Sequence, residues 1–160
     1  MEVALELKFR ETREADIEQL FAVRGRTREN PIPKERLAVM GITPKSTAAA
    51  MKAGAICSWV SVHEHQVVGF CSGDLSSGEV LVLAVLPEYE GRGVGRQLLS
   101  HVVQDLRTRG QHTRLWLAAS PDPRIRAHGF YRTHGWNPTG EWDANGDEIL
   151  VLGLPQPTAA

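Results

Sequence analysis

At 160 residues, with 42% apolar side chains, the chain can bury about 70% of its unfolded surface around one core, and it is neither a disordered tail nor a fibre. Eighteen basic against nineteen acidic residues leave a net charge of −1, which argues against a general electrostatic grip on nucleic acid or anionic lipid. No apolar run approaches the ~20 residues of a membrane span, and Cys57 and Cys71 alone cannot make a disulfide scaffold, so a cytoplasmic protein without nucleic acid or membrane partners is expected.

Alternating Val3, Leu5, Leu7 and Phe9 predict a strand over 3–10. Thr12 can cap a helix whose inward residues are Ile17, Leu20, Phe21 and Arg24 and which should end near Arg28. Asn30-Pro31-Ile32-Pro33 interrupts it, a short helix follows over 34–40, and Thr43-Pro44 supplies a cap and first-turn proline for another that stops before Gly54. Two β-rich runs, 56–63 and 66–74, read as a hairpin, and the apolar run 79–86 reads as a central strand covered on both faces. Val94, Leu98, Leu99, Val102, Val103 and Leu106 mark one side of a helix closed by Gly110. A strand over 113–119, a helix over 124–134 and a hairpin of 136–141 with 148–152 complete one α+β domain over 1–154, with 155–160 as a loose tail.

The segment that carries chemistry joins the apolar strand to the long helix: Pro87-Glu88-Tyr89-Glu90 leads into Gly91-Arg92-Gly93-Val94-Gly95-Arg96. Glycines at alternate positions let backbone approach a ligand, while the first-turn amides and the helix dipole favour an anion. Arg92 and Arg96 add planar forks that meet phosphate oxygens in pairs, so a diphosphate suits this turn better than a carboxylate. A nucleotide-hydrolysing phosphate loop needs Lys and then Ser or Thr after its last glycine, whereas Arg96-Gln97 follows Gly95. The dinucleotide fingerprint fails as well, because Arg96 stands where its third glycine belongs.

The run Leu83-Ala84-Val85-Leu86-Pro87-Glu88-Tyr89-Glu90-Gly91-Arg92-Gly93-Val94-Gly95-Arg96-Gln97-Leu98-Leu99 resembles the acetyl-CoA loop of the GCN5-related N-acetyltransferases (GNAT). Ala127 with Phe130-Tyr131-Arg132-Thr133-His134-Gly135-Trp136 is similar to that family's later helix and turn, and the order of elements matches from Leu5 to Leu152. The resemblance implies a GNAT-type mixed, mostly antiparallel central sheet flanked by helices, with a splayed central strand pair. It further implies acetyl-CoA as cosubstrate, no metal, and direct transfer of the acetyl group to a primary amine of a small-molecule or peptide acceptor. Gly91, Arg92, Gly93, Val94, Gly95 and Arg96 match the diphosphate-binding positions. Leu83, Ala84 and Val85 match the strand whose backbone pairs with the pantetheine arm, an amide near Val85 polarising the thioester carbonyl, and Tyr131 matches the general acid toward the departing thiolate. Glu90 departs from the Gln or Arg usual at the start of the loop and is expected to face solvent or to pair with an arginine, and Arg124 stands where relatives often carry Asn.

An amine must lose a proton before it attacks, and Glu79, Glu29 and His63 are the candidate bases, in which Glu79 leads. His63 and His65 lack further ligands for a metal, Cys57 and Cys71 suit core packing, and Trp116, Trp136 and Trp142 could line an acceptor pocket. The region from Arg26 to Ser46 should select the acceptor, and the sheet edges leave room for a homodimer. The rival to an enzyme is a non-catalytic acyl-CoA-binding sensor or interaction module; a third reading transfers a longer acyl chain.

Overall fold

The structure is a computed structural model and describes residues 5–153. Strands β1 (Lys8–Glu11), β2 (Ile56–His63), β3 (Gln66–Asp74) and β4 (Val80–Val85) form an antiparallel sheet in that order. Strands β5 (Leu115–Ala119), β6 (Asn137–Trp142) and β7 (Glu148–Leu152) form a second, in the order β5-β7-β6. β4 and β5 run parallel and touch at a single bridge, Glu79 to Trp116, backed by the Trp116 amide donating to the Gly78 carbonyl at 3.2 Å. Beyond that point each pairs only with its outer neighbour, so the two strands splay. This is the GNAT-type mixed, mostly antiparallel α+β arrangement expected from the sequence.

Several boundaries moved for local reasons. β1 starts at Lys8 rather than at residue 3, because its pairing starts at Val62 and β2 ends one residue later; Val3 itself lies outside the described residues, as does the expected tail. Helix α1 (Ile17–Arg24) stops before Arg28, since the Arg24 carbonyl is taken by the Ile32 amide at 3.1 Å and not by a continuing turn. Helices α2 (Lys34–Val39) and α3 (Pro44–Lys52) follow, and α3 has the expected cap: Thr43 Oγ1 accepts from the Ser46 amide at 3.0 Å while Ser46 Oγ accepts from the Thr43 amide at 2.9 Å. The β2–β3 hairpin turns on Glu64 and His65, at φ 49° and 67°, the conformation a two-residue hairpin needs. The last helix, α5 (Arg126–Thr133), begins two residues late because Pro121-Asp122-Pro123 precedes it and Asp122 binds both the amide and the guanidinium of Arg124.

Helix α4 (Val94–Thr108) lies on one face of the first sheet and α1 on the other. Leu98, Val102 and Leu106 of α4 bury against Cys57, Cys71 and Val80, whereas Leu20 and Val23 of α1 bury against Val60, Val68, Phe70 and Ala84. Two glycines of β3 let α4 sit close: a Cβ at Gly73 would lie 2.8 Å from Val102 Cγ1, and one at Gly69 3.2 Å from Val94 Cγ1. That approach presses the N-terminus of α4 against the open end of β4. Among the described residues no helix is long and apolar enough to cross a membrane.

Candidate functional site

The glycine turn forms an amide cradle. Gly91 and Gly93 hold φ of 75° and 78°, the left-handed region that only glycine enters without strain. Gly93 is the N-cap of α4 and offers no side chain, so the amides of Val94, Gly95 and Arg96 leave the 15-residue helix without a capping acceptor. Among the described residues, chain neighbours aside, no heavy atom lies within 4 Å of a Cβ built at Gly91, and the one near Gly93 is Arg96 Nη2 at 3.6 Å. Exposed amides, a helix dipole and a guanidinium over the lip are the donor set a diphosphate needs. Arg92 is exposed beside them.

A cleft of about 1410 Å³ runs from this cradle through the splay. The Leu86 amide donates to the Val68 carbonyl at 2.9 Å, so by strand alternation Val82 and Ala84 also pair toward β3. The backbone groups of Leu83 and Val85 therefore turn the other way, toward the gap β5 has vacated, and both residues line the cleft. Across the gap stands Tyr131 of α5, its ring buried edge-on to Phe130 and Trp136 at centroid distances of 5.3 and 6.2 Å. Among the described residues Ser61 Oγ and Arg107 Nε are the only fully buried side-chain polar atoms without a partner, so the unbonded Tyr131 hydroxyl opens on the cleft. Burial, reinforced by Cys71, pushes the phenol above its ordinary value, while Arg24 acts in the opposite sense.

The candidate bases are dispersed. Glu79 is half-buried at the root of the splay and does not line the cleft; burial raises its carboxyl, and Asp74 and Asp143 add to the effect. Glu29 lines the cleft, but its Oε2 accepts from the Arg126 amide at 3.0 Å. His63 lies off the cleft, with Nδ1 2.8 Å from the Tyr89 hydroxyl. Sequence reasoning missed Asp147, which lines the cleft from the β6–β7 turn and is raised by burial and by Asp143. A turn residue in a polar hairpin gave no signal. The tryptophans take no part: Trp136 is core, Trp116 Nε1 donates to the Ser77 carbonyl, Trp142 is exposed, and none lines the cleft. Cys57 and Cys71 are buried free thiols, and burial pushes Cys57 up to about 11.

Glu90 pairs rather than facing solvent. Its Oε2 receives Arg28 Nε at 2.9 Å and Arg126 Nη1 at 2.6 Å, joining the loop after α1, the glycine turn and the start of α5. Arg124 is taken up by Asp122 and does not line the cleft. Glu90→Gln removes a carboxylate next to the anion cradle and releases two guanidinium groups, so coenzyme A should bind about 3- to 10-fold more tightly at low salt, measured by calorimetry. Weaker binding by this variant would mean that Glu90 instead braces the cradle.

Residues 17–136 match the sequence model of the Acetyltransferase (GNAT) family. No curated protein matches the chain. Among solved structures the chain is similar in fold to the PaiA N-acetyltransferase from Thermoplasma acidophilum in complex with coenzyme A, with a TM-score of 0.76 and 17% identity over 93% of this chain and 99% of that one. An acetyltransferase of the GNAT family from Staphylococcus aureus Mu50 gives a TM-score of 0.74 at 15% identity over 94% and 100% of the two chains. The ribosomal-protein-S18-alanine N-acetyltransferase from Escherichia coli gives 0.66 at 19% identity over 97% of each. At these identities the likeness is one of fold.

Proposed function

The chain belongs to the Acetyltransferase (GNAT) family, and from that premise we propose that it moves an acetyl group from acetyl-CoA directly to a primary amine. The observation that carries this reading is the splay of β4 from β5 beside an uncapped helix terminus: unpaired strand backbone and free amides face one cleft. The cradle formed by Gly91, Arg92, Gly93, Val94, Gly95 and Arg96 holds the diphosphate of the donor. Leu83, Ala84 and Val85 form the strand along which its amide-containing arm lies, the outward backbone of Leu83 and Val85 making the hydrogen bonds and Ala84 walling the other face. Acetyl-CoA supplies an activated thioester carbonyl.

The chain's own groups then account for charge and protons. The Val85 amide, turned into the gap, donates to the thioester oxygen as negative charge develops there. The amine nitrogen bonds to the carbonyl carbon, the carbon–sulfur bond breaks, and the departing sulfur takes the Tyr131 proton. The proton the amine sheds passes to the acidic side of the cleft, where Asp147 lines the wall and Glu79 shares Asp143 as a neighbour. Burial raises both carboxyls, which brings them nearer the basicity such a role requires. The buried free thiols Cys57 and Cys71 suit a reducing compartment, and we place the enzyme in the cytoplasm on that ground.

Calorimetric titration with acetyl-CoA followed by thiol-release assays over amine classes tests the reading. Binding together with acceptor-dependent release is the expected result. No binding at millimolar coenzyme removes it, and binding without release from any amine assigns a sensor instead.

A further inference from the structure

Four arginines line the cleft: Arg24, Arg28, Arg96 and Arg126. Glu90 forms ion pairs with both Arg28 and Arg126, and Arg96 overhangs the anion cradle. Arg24 is the exception. It is half-buried at the end of α1, its Nη1 donates to the Asn30 carbonyl at 2.8 Å, and no carboxylate among the described residues forms an ion pair with it. Withdrawing a guanidinium from water without a counter-anion is unfavourable, and desolvation accordingly lowers the Arg24 pKa. Other part-buried or carboxylate-facing arginines have partners, such as Arg10 with Asp16, Arg124 with Asp122 and Arg132 with Glu148. An unpaired cation facing a cavity is a receptor awaiting an anion.

Position decides which ligand supplies that anion. The diphosphate cradle is at the α4 terminus, on the sheet face that buries Leu98 and Val102, whereas Arg24 belongs to α1, which covers the opposite face. Tyr131 lines the same cleft as Arg24. The same cleft is lined by apolar Phe21, Ile32, Leu37, Met40 and Ile42 and by Leu81 of β4; Phe21, Ile32 and Leu37 pack together, and the Ile32 amide bonds the Arg24 carbonyl. Met40, Ile42 and Leu81 are 61%, 41% and 45% exposed, so they form an uncovered greasy rim. Asp147, on the β6–β7 side of the same cleft, supplies the complementary sign for an ammonium group.

The geometry points to an acceptor that carries a carboxylate near its amine together with an apolar body, the class of apolar amino acids, with the carboxylate held by Arg24. This rests on the acetyltransfer reading above and narrows it. The transfer remains balanced: one carbon–nitrogen bond forms, one carbon–sulfur bond breaks, the amine loses a proton and the thiol of coenzyme A gains one. Arg24 neither donates nor accepts a proton and acts as a specificity residue. A polyamine is disfavoured, because its further positive charges would lie against an uncompensated guanidinium.

The test uses matched pairs that differ only in the carboxylate: L-leucine against 3-methylbutylamine, L-methionine against 3-(methylthio)propylamine, and L-phenylalanine against 2-phenylethylamine. With acetyl-CoA and the intact chain, thiol release should give a kcat/KM for the better amino acid at least about tenfold above its decarboxylated partner. Arg24→Gln should bring that ratio close to one, and Arg24→Lys should restore part of it. Coenzyme A titration of each variant reports whether the fold and the donor site survive. A wild-type ratio at or below one, a ratio untouched by Arg24→Gln, or no release with any of the three amino acids by protein that binds acetyl-CoA overturns the proposal. Failure of wild-type protein to bind acetyl-CoA overturns the acetyltransfer reading first, and this one with it.

Discussion

Gly93→Val should raise the dissociation constant for coenzyme A by about 100-fold, a loss of roughly 2.7 kcal/mol, while the protein stays folded. The cradle depends on φ 78° and ψ 9° at this residue, which turn the chain so that the next three amides point outward together. A left-handed conformation costs an ordinary residue about 1–2 kcal/mol, and a β-branched one more. No core atom resists the new side chain, since a Cβ there meets only the end of Arg96 at 3.6 Å. The strain is therefore released by the exposed turn leaving its conformation, which misaligns the amides and leaves the core packing of α4 intact. Gly54→Val is the comparison: it imposes a similar backbone penalty at φ 71° in open space away from the cleft, so it should lower stability similarly and leave coenzyme affinity unchanged. Equal affinities for wild type and Gly93→Val, within threefold, would detach the glycine turn from diphosphate binding.

That turn was legible in the sequence because its chemistry is local. Glycines at 91, 93 and 95, an apolar strand before and an amphipathic helix after define a backbone cradle wherever the rest of the chain goes. The same holds for α3, where Thr43-Pro44 and Ser46 fix a helix start, and for the Glu64-His65 turn. What the sequence left unread is whatever depends on elements that meet only in three dimensions. Glu90 looked like a defect in the motif, and its partners lie 62 and 36 residues away. Arg24 looked like one more position on a helix face; its meaning is that no carboxylate among the described residues pairs with it, and a missing partner leaves no pattern in a sequence. The splay itself follows from a bridge at Glu79 and Trp116 that does not continue, because β5 spends its other edge on β7. Glu79 was singled out for standing at the start of the strand, yet the chain brings Asp147 to the cleft wall instead.

Tyr131→Phe should lower kcat by about 100- to 1000-fold with coenzyme A affinity within twofold of wild type, because removal of a positioned proton donor acts on the chemical step. The substitution keeps the ring that packs against Phe130 and Trp136 and deletes only a hydroxyl that no described side chain or backbone group engages, so the fold has little to lose. Burial is the main influence on the phenol and Cys71 adds to it, raising its pKa above the ordinary value near ~10. A phenol whose folded pKa is raised holds its proton throughout the neutral range. Its contribution to folding is full below about pH 10 and is lost only as pH climbs through the higher folded value. Two consequences follow from the raised phenol, beside the fall in kcat that separates a proton donor from a packing residue. Below about pH 10 the wild-type rate profile should show no limb owed to Tyr131, so the Phe variant should trace a curve of the same shape at a lower level. Thermal stability of the variant should match wild type near neutrality and exceed it under strongly alkaline conditions, where the native phenol resists ionising. Arg24 acts against the burial shift at that hydroxyl. Unchanged kcat in Tyr131→Phe on an established acceptor would hand proton donation to solvent and leave Tyr131 as a wall of the cleft.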